Sequence, residues 1–211
     1  MCTVIADVPC VVQRLSRTLI QLNIATRLHH ASADAPWLDL MVPTIGKTQY
    51  VKHLIKVYGF EASLEAAFRY TPGLSTLVDL RTRTRSGLLA QDLMRLGLGP
   101  ARIAELPQRF AMFAGAGEAL GWMYVIERST LLHGGVRRQL TLRVPDISNA
   151  MSYLSAYDGV AGRRWSDFGC ALETVAHSPS AAAQIVRAAN HGFCAMRDWF
   201  RDGETLRSVA T

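Results

Sequence analysis

The sequence lacks long apolar runs and paired cysteines. No apolar run reaches the roughly 18 residues that a membrane-spanning helix needs, so we predict no membrane attachment. The four cysteines, Cys2, Cys10, Cys170 and Cys194, form no CxxC pair, which argues against a zinc site and a dense disulfide framework. No Lys or Arg precedes the apolar part of residues 1–13, which disfavours a signal peptide. We therefore expect free thiols in a reducing cytoplasm.

Charged residues are also few, at 19% of the chain, but basic ones exceed acidic ones and the net charge is +6. Arg81, Arg83 and Arg85 lie close together in the sequence. A basic balance favours an anionic partner. The usual companions of nucleic-acid binding, an RNP motif or basic residues interleaved with aromatic ones, are missing. We therefore predict no nucleic-acid partner and favour a small molecule that carries carboxylates.

Several catalytic motifs are absent. No Glu-x-x-His motif of the di-iron helical bundles occurs. Ile45-Gly-Lys-Thr48 lacks the first glycine of a phosphate-binding loop, because Met41 stands in its place. No Ser-x-x-Lys or Gly-x-Ser-x-Gly motif and no flavin or nicotinamide fingerprint is found, so electrons for any redox chemistry would come from a separate donor.

Apolar residues recur at helical spacing throughout, and no segment alternates long enough for a strand. We predict a single all-α domain, residues 1–211, of about eight helices, with residues 1–10 as a flexible N-terminal segment. Proline should end the first helix before Pro36, and Ser86 and Ser178 should cap later helices. The clearest predicted helices are Val11–Ser32, a segment between Pro43 and Pro72, Ser86–Leu96, Gly117–Leu142, Asp146–Tyr157, Trp165–Ala176, and one from Pro179 to Phe200.

Three segments resemble heme oxygenases in the order that this family shows. Ala25-Thr-Arg-Leu-His-His30 is similar to the helix that carries the proximal histidine, and its spacing selects His30 over His29. Tyr58-Gly-Phe-Glu-Ala-Ser-Leu-Glu65 and Ala119-Leu-Gly-Trp-Met-Tyr-Val-Ile-Glu-Arg-Ser-Thr130 follow. The closing part adds aromatic residues in a similar pattern: Tyr157, Trp165, Phe168, Phe193, Trp199 and Phe200.

The resemblance implies a heme b bound through His30, where neutral imidazole is a good iron ligand and leaves the opposite side open for dioxygen. A basic residue near the ligand suits the two heme propionates, and Arg27 stands at the family's place for one. Tyr124 and Tyr157 are further candidates for contacts with heme.

The resemblance breaks in the helix expected over the distal face of heme. Where the family has glycines, this sequence has Arg128, Leu132 and His133. A spacing of four places Arg128 and Leu132 on one helix face, so both would fill the oxygen pocket. A π-bulge or kink at Gly134 and Gly135 could shift the close approach along the helix.

Three interpretations remain open. Arg128, with Ser129 beside it, could act catalytically as a hydrogen-bond donor on the distal side, leaving a working enzyme. His133 could ligate the iron from the distal side, giving a heme sensor or storage protein. The pocket could also be closed.

The leading prediction is a cytoplasmic heme oxygenase that cleaves heme, as both substrate and cofactor, with dioxygen to biliverdin, carbon monoxide and ferrous iron. The resemblance implies a separate electron donor such as a ferredoxin or reductase. It also implies iron recovery or supply of biliverdin to a phytochrome.

Overall fold

The computed structural model describes residues 16–202, which form eight α-helices and no strand. The predicted all-α class is confirmed. Three short 3-10 turns, Asp39–Met41, Leu80–Thr82 and Pro145–Ile147, lie in the connections. The α-helices are α1 Arg17–Leu38, α2 Lys47–Tyr70, α3 Leu74–Leu77, α4 Ser86–Arg95, α5 Pro100–Ala104, α6 Ala116–Arg143, α7 Ala161–Val175 and α8 Pro179–Arg201.

Helix α1 differs from its prediction at both ends. The described part begins with Ser16, whose hydroxyl accepts a hydrogen bond from the Leu19 N–H and caps the helix. The predicted start at Val11 and the predicted flexible segment 1–10 lie outside the described residues. The predicted stop before Pro36 is wrong, because α1 continues to Leu38. Trp37 is buried there against His53, and this packing outweighs the local cost of proline.

Helix α4 begins where predicted but is capped by another group. The Ser86 hydroxyl does not cap it; that hydroxyl donates to the Glu65 carboxylate. The same carboxylate accepts the backbone N–H groups of Arg85 at 2.6 Å and Ser86 at 3.0 Å. A buried carboxylate from α2 therefore satisfies the first donors of α4. The cap predicted at Ser178 is confirmed, since its hydroxyl accepts from the Ala181 N–H.

The segment predicted as a helix over 146–157 is not one. It forms a 3-10 turn at Pro145–Ile147 and then successive turns. Side chains engage its backbone: the Tyr153 N–H donates to Asp92 at 2.8 Å, and the Ala150 carbonyl accepts from the Tyr50 hydroxyl at 3.0 Å. These bonds replace the helical ones that periodicity alone would suggest.

Helix α6 is the central element and lies closely against α8. A Cβ atom on Gly121 would stand 2.6 Å from both the Ala188 Cβ and the Ile185 carbonyl oxygen, so only glycine permits this crossing. Along its 28 residues α6 is regular α-helix. The π-bulge considered at Gly134 and Gly135 is absent, and added Cβ atoms there would meet only ordinary contacts.

Two groups of buried apolar side chains share α2 and α6. One joins the first half of α6 to α1, α7 and α8; the other joins the second half of α6 to α4, α5 and the turns around Tyr153. Helix α6 thus has one side against α1 and another against the turn segment. No helix in residues 16–202 is long and apolar enough to cross a membrane.

Candidate functional site

His30 lies on α1, half-buried, with its ring held by the residue one turn earlier. Its Nε2 atom is 3.1 Å from the Thr26 hydroxyl. That hydroxyl also bonds the Leu22 carbonyl at 2.8 Å. The buried threonine of the Ala-Thr pair thus holds the ring of His30 against its own helix.

His29 is engaged elsewhere. Its ring stacks on Phe193 of α8, with centroids 5.6 Å apart, and its Nε2 atom is 2.9 Å from the Asn190 side-chain oxygen. The His30 ring also lies near Phe193, with centroids 5.8 Å apart. The two neighbouring histidines differ in their hydrogen bonds: His29 bonds Asn190 of α8, whereas His30 bonds Thr26 of its own helix.

Arg128 of α6 forms an ion pair with Asp34 of α1. Both guanidinium Nη atoms contact the carboxylate, and the Nη2–Oδ2 distance is 2.9 Å. Asp34 lies four residues after His30 and so occupies the same side of α1 one turn further on. The side chains of Arg128 and Asp34 are only 14% and 20% exposed, so water screens this pair less than a surface ion pair.

These surroundings keep the His30 imidazole neutral. Burial lowers its pKa below the usual 6.5, the positive charge of Arg128 lowers it further, and Asp34 opposes this in part. A neutral imidazole is the form that binds a metal ion. At pH 7 the imidazole therefore does not have to lose a proton to water before it binds a metal ion. The contact with Thr26 occupies its Nε2 atom.

A cavity of about 270 Å³ opens between α1, α6 and the start of α7. Its walls are mostly apolar, and Asn23, Tyr124 and Arg128 supply the polar groups. Asn23 donates to the Tyr124 hydroxyl at 3.3 Å, and that hydroxyl also bonds Thr26. The full lining is Leu19, Ile20, Asn23, Ile24, Tyr124, Arg128, Leu131 and Trp165.

Apolar side chains around this cavity remain exposed to solvent. Ile20, Ile24 and Leu28 follow one another at successive turns of α1 with 44%, 59% and 87% exposure. Leu131, across the cavity on α6, is 62% exposed. Such a stripe beside a cavity is typical of a surface that an apolar ligand covers.

The structure gathers some of the predicted site residues and separates others. His30, Tyr124 and Arg128 lie together on the α1–α6 side, while Arg27 is exposed on α1. Ser129 donates to the Ile126 carbonyl and is bonded to Tyr153, on the other side of α6. Leu132 packs with the second apolar group, and Leu131 lines the cavity beside Arg128 in its place.

His133 and Tyr157 also lie away from His30. His133 is buried between Trp37 and Tyr153, with ring centroids at 4.9 and 4.8 Å. Neither of its ring nitrogens has a hydrogen-bond partner, and burial holds its pKa well below 6.5. The Tyr157 hydroxyl donates to Glu127 at 2.7 Å within the protein interior.

The arginine cluster has a different role from the one predicted. Of its members only Arg81 is exposed. Arg85 is buried against Glu61 at 3.1 Å, and Arg83 against Glu127 at 2.9 Å. Burial raises the pKa of Glu61 to about 7, against the opposing charge of Arg85. Arg83 and Arg85 are counter-ions inside the fold and offer no surface to an anionic partner.

Sequence reasoning missed Asp34 and most of the cavity wall. Helical spacing does indicate this wall, because Ile20, Asn23 and Ile24 lie on the turns of α1 that precede His30. On α6, Tyr124, Arg128 and Leu131 follow the spacing i, i+4, i+7, which gives one face. Trp165, one of the closing aromatic residues of the resemblance, is half-buried at the cavity edge.

The fold is all-helical, and His30 lies on the helix that forms one wall of the mostly apolar cavity. The heme oxygenase family model matches residues 16–202, and the chain belongs to that family. The fold is similar to that in crystal structures of the NO- and CO-bound heme oxygenase from Neisseria meningitidis, with a TM-score of 0.69 and 21% identity. That likeness covers 90% of this chain and 92% of the other. No curated protein sequence matches the chain.

Proposed function

We propose that the chain binds heme b through His30 and cleaves it with dioxygen to biliverdin, carbon monoxide and ferrous iron. The observation that carries this proposal is the neutral, half-buried His30 on the α1 side that faces an apolar cavity, in a chain of the heme oxygenase family. Bound heme supplies the iron that activates dioxygen and is also the molecule that is cleaved.

The residues fit a heme by their chemistry. His30 would bind the iron through a ring nitrogen, which for Nε2 means releasing the Thr26 hydroxyl. Ile20, Ile24 and Leu131 would cover the macrocycle and exclude water. Asn23 and Tyr124 offer polar groups at the cavity wall, and the exposed Arg27 one turn before His30 is available to a propionate.

Electrons are proposed to come from a separate ferredoxin or reductase, because the sequence contains no flavin or nicotinamide fingerprint. Cys170 and Cys194 are free thiols, which fits a reducing cytoplasm. The biliverdin formed would serve a phytochrome or be the by-product of iron recovery.

A specific observation favours a second candidate, a heme-binding protein that senses or stores heme and turns it over poorly. The resemblance aligns Arg128 with a distal glycine of the family, and its guanidinium is bonded to Asp34. While this pair is closed, the guanidinium is not free to act on the distal side of heme. The second candidate keeps His30 as the iron ligand and lacks the cleavage step.

Hemin titration followed by a reductant separates the two. The purified chain is titrated with hemin, the absorption spectrum is recorded, and ascorbate or a ferredoxin with its reductase is added in air. The oxygenase predicts stoichiometric uptake and then the broad red absorption of biliverdin. Uptake followed by heme that stays intact for hours would favour the sensor or storage protein, and no uptake would contradict both.

A further inference from the structure

The contact between Arg128 and Asp34 connects the two helices that border the cavity. Arg128 belongs to α6 and lines the cavity, whereas Asp34 belongs to α1 one turn beyond His30. An arginine that contacts both oxygens of a carboxylate is held in one orientation. The guanidinium is thereby held between the cavity and the turn of α1 that follows His30.

The size of the cavity indicates what this contact prevents. Pockets for drug-sized ligands usually measure about 300–1,000 Å³, and a heme belongs well inside that range. The cavity measures about 270 Å³, and its lining does not include His30. To bring a macrocycle over His30, the cavity must extend along α1 past the position of the Arg128 guanidinium.

The His30 ring is also held in place, by a contact within α1. Its Nε2 atom is bonded to Thr26. Asp34, the partner of Arg128, follows one turn later on the same side of α1. The ion pair therefore joins α6 to α1 one turn from His30.

We propose that the Arg128–Asp34 ion pair is a latch that closes the heme site over His30, so that heme binds only to the form in which the pair is open. This inference rests on the proposed function and assigns Arg128 and Asp34 as the residues that set heme affinity. The measured dissociation constant is then the intrinsic one divided by the fraction of open molecules. Removing either partner raises that fraction and tightens heme binding.

The test is a hemin titration of the full chain and five variants, followed by absorption. Arg128→Ala and Asp34→Asn each remove the latch, and each should bind hemin about tenfold more tightly than the wild type. The double variant should bind no more tightly than the better single one, because both changes remove the same contact. Controls are Arg138→Ala, an exposed arginine of the same helix, and Asp158→Asn, which removes the partner of Arg137.

Weaker or unchanged hemin binding in Arg128→Ala and Asp34→Asn would overturn the latch. Such a result would mean that Arg128 helps to hold heme or has no influence on its access.

A second readout needs no heme and keeps the latch separate from the proposed function. Diethyl pyrocarbonate acylates accessible neutral imidazoles, and fragment mass spectrometry distinguishes His30 from His29. The latch predicts that His30 is acylated several-fold faster in Arg128→Ala and Asp34→Asn, while His29 keeps its rate. If no variant takes up hemin, the proposed function fails, and these rates still decide whether the pair covers His30. Equal His30 rates in all variants would overturn the latch.

Discussion

The two sides of α6 differ in how their charged groups are paired and how their apolar groups are covered. On the side toward Tyr153 and Tyr157, Glu127 is buried and contacts a buried arginine and a tyrosine hydroxyl. On the side toward α1, Arg128 is part-exposed, a cavity remains, and Ile24 and Leu131 stand in solvent. The charges of the first side are paired inside the fold, whereas the second side keeps an open, mostly apolar cavity.

This difference explains why two adjacent residues, Glu127 and Arg128, have unlike roles. Glu127 compensates a charge inside the fold, so its loss should act on stability. Arg128 is bound to one partner at the edge of a cavity, so its loss should act on ligand access. The predictions below test this division from the largest expected effect to the smallest.

The largest effect is expected from Glu127→Ala, which leaves Arg83 buried without its counter-ion. Breaking a buried ion pair typically costs about 3–5 kcal/mol in the free energy of unfolding. Urea unfolding followed by circular dichroism measures this. The control Asp158→Ala removes the exposed partner of Arg137 and should cost about 1 kcal/mol or less. Equal losses in the free energy of unfolding for the two variants would show that the buried ion pair contributes no more to stability than the exposed one.

A smaller effect, dependent on pH, is expected from His133→Leu. Both ring nitrogens of His133 are buried without partners, so the change should stabilise the fold by about 1 kcal/mol at pH 7.5. Because the folded pKa of His133 lies well below 6.5, the unfolded chain binds its proton first as the pH falls. The wild type therefore loses stability relative to the variant by up to about 1.4 kcal/mol per pH unit below 6.5.

Urea unfolding of the wild type and His133→Leu at pH 7.5, 6 and 5 would measure that gap. Other groups, Glu61 among them, titrate in both proteins and cancel in the difference. The matched control is His177→Leu, which removes an exposed histidine ring instead of a buried one. A gap that does not widen toward pH 5 would contradict a neutral, unpaired His133.

The smallest effect on stability is expected from Ile24→Asn on the open side. Ile24 is 59% exposed, so the free energy of unfolding should change by no more than about 0.5 kcal/mol. Hemin binding should weaken about fivefold, because an apolar contact with the macrocycle is lost. Leu38→Asn, at an exposed position of α1 outside the cavity, should leave both quantities unchanged. Equal hemin affinities for the two variants would show that the exposed apolar residues of α1 do not contact heme.

The sequence predicted the helices better than the contacts between them. Helical periodicity predicted α6 and the all-α class, because these depend on local spacing, and His30 as the iron ligand stays a prediction. The turns around Tyr153 and the roles of Arg83 and Arg85 depend on bonds to residues distant in the chain, Asp92, Glu127 and Glu61. No local pattern encodes such bonds.

The same limit applies to the latch. Helical spacing shows which residues share a face of α6 with Arg128. It cannot show that Asp34 of another helix binds Arg128. Helical phase also matters: Leu131 lines the cavity with Arg128, although Leu132 was expected there. Pro36 inside α1 shows the reverse case, in which tertiary packing of Trp37 overrides a strong local signal.

The central claim, that His30 is the iron ligand, is tested most directly by resonance Raman spectroscopy of the ferrous, hemin-loaded chain. The account predicts an iron–imidazole stretching band in the wild type and in His29→Ala. In His30→Gly the band should disappear and return when free imidazole is added to fill the vacated space. An unchanged band in His30→Gly without added imidazole would contradict the account.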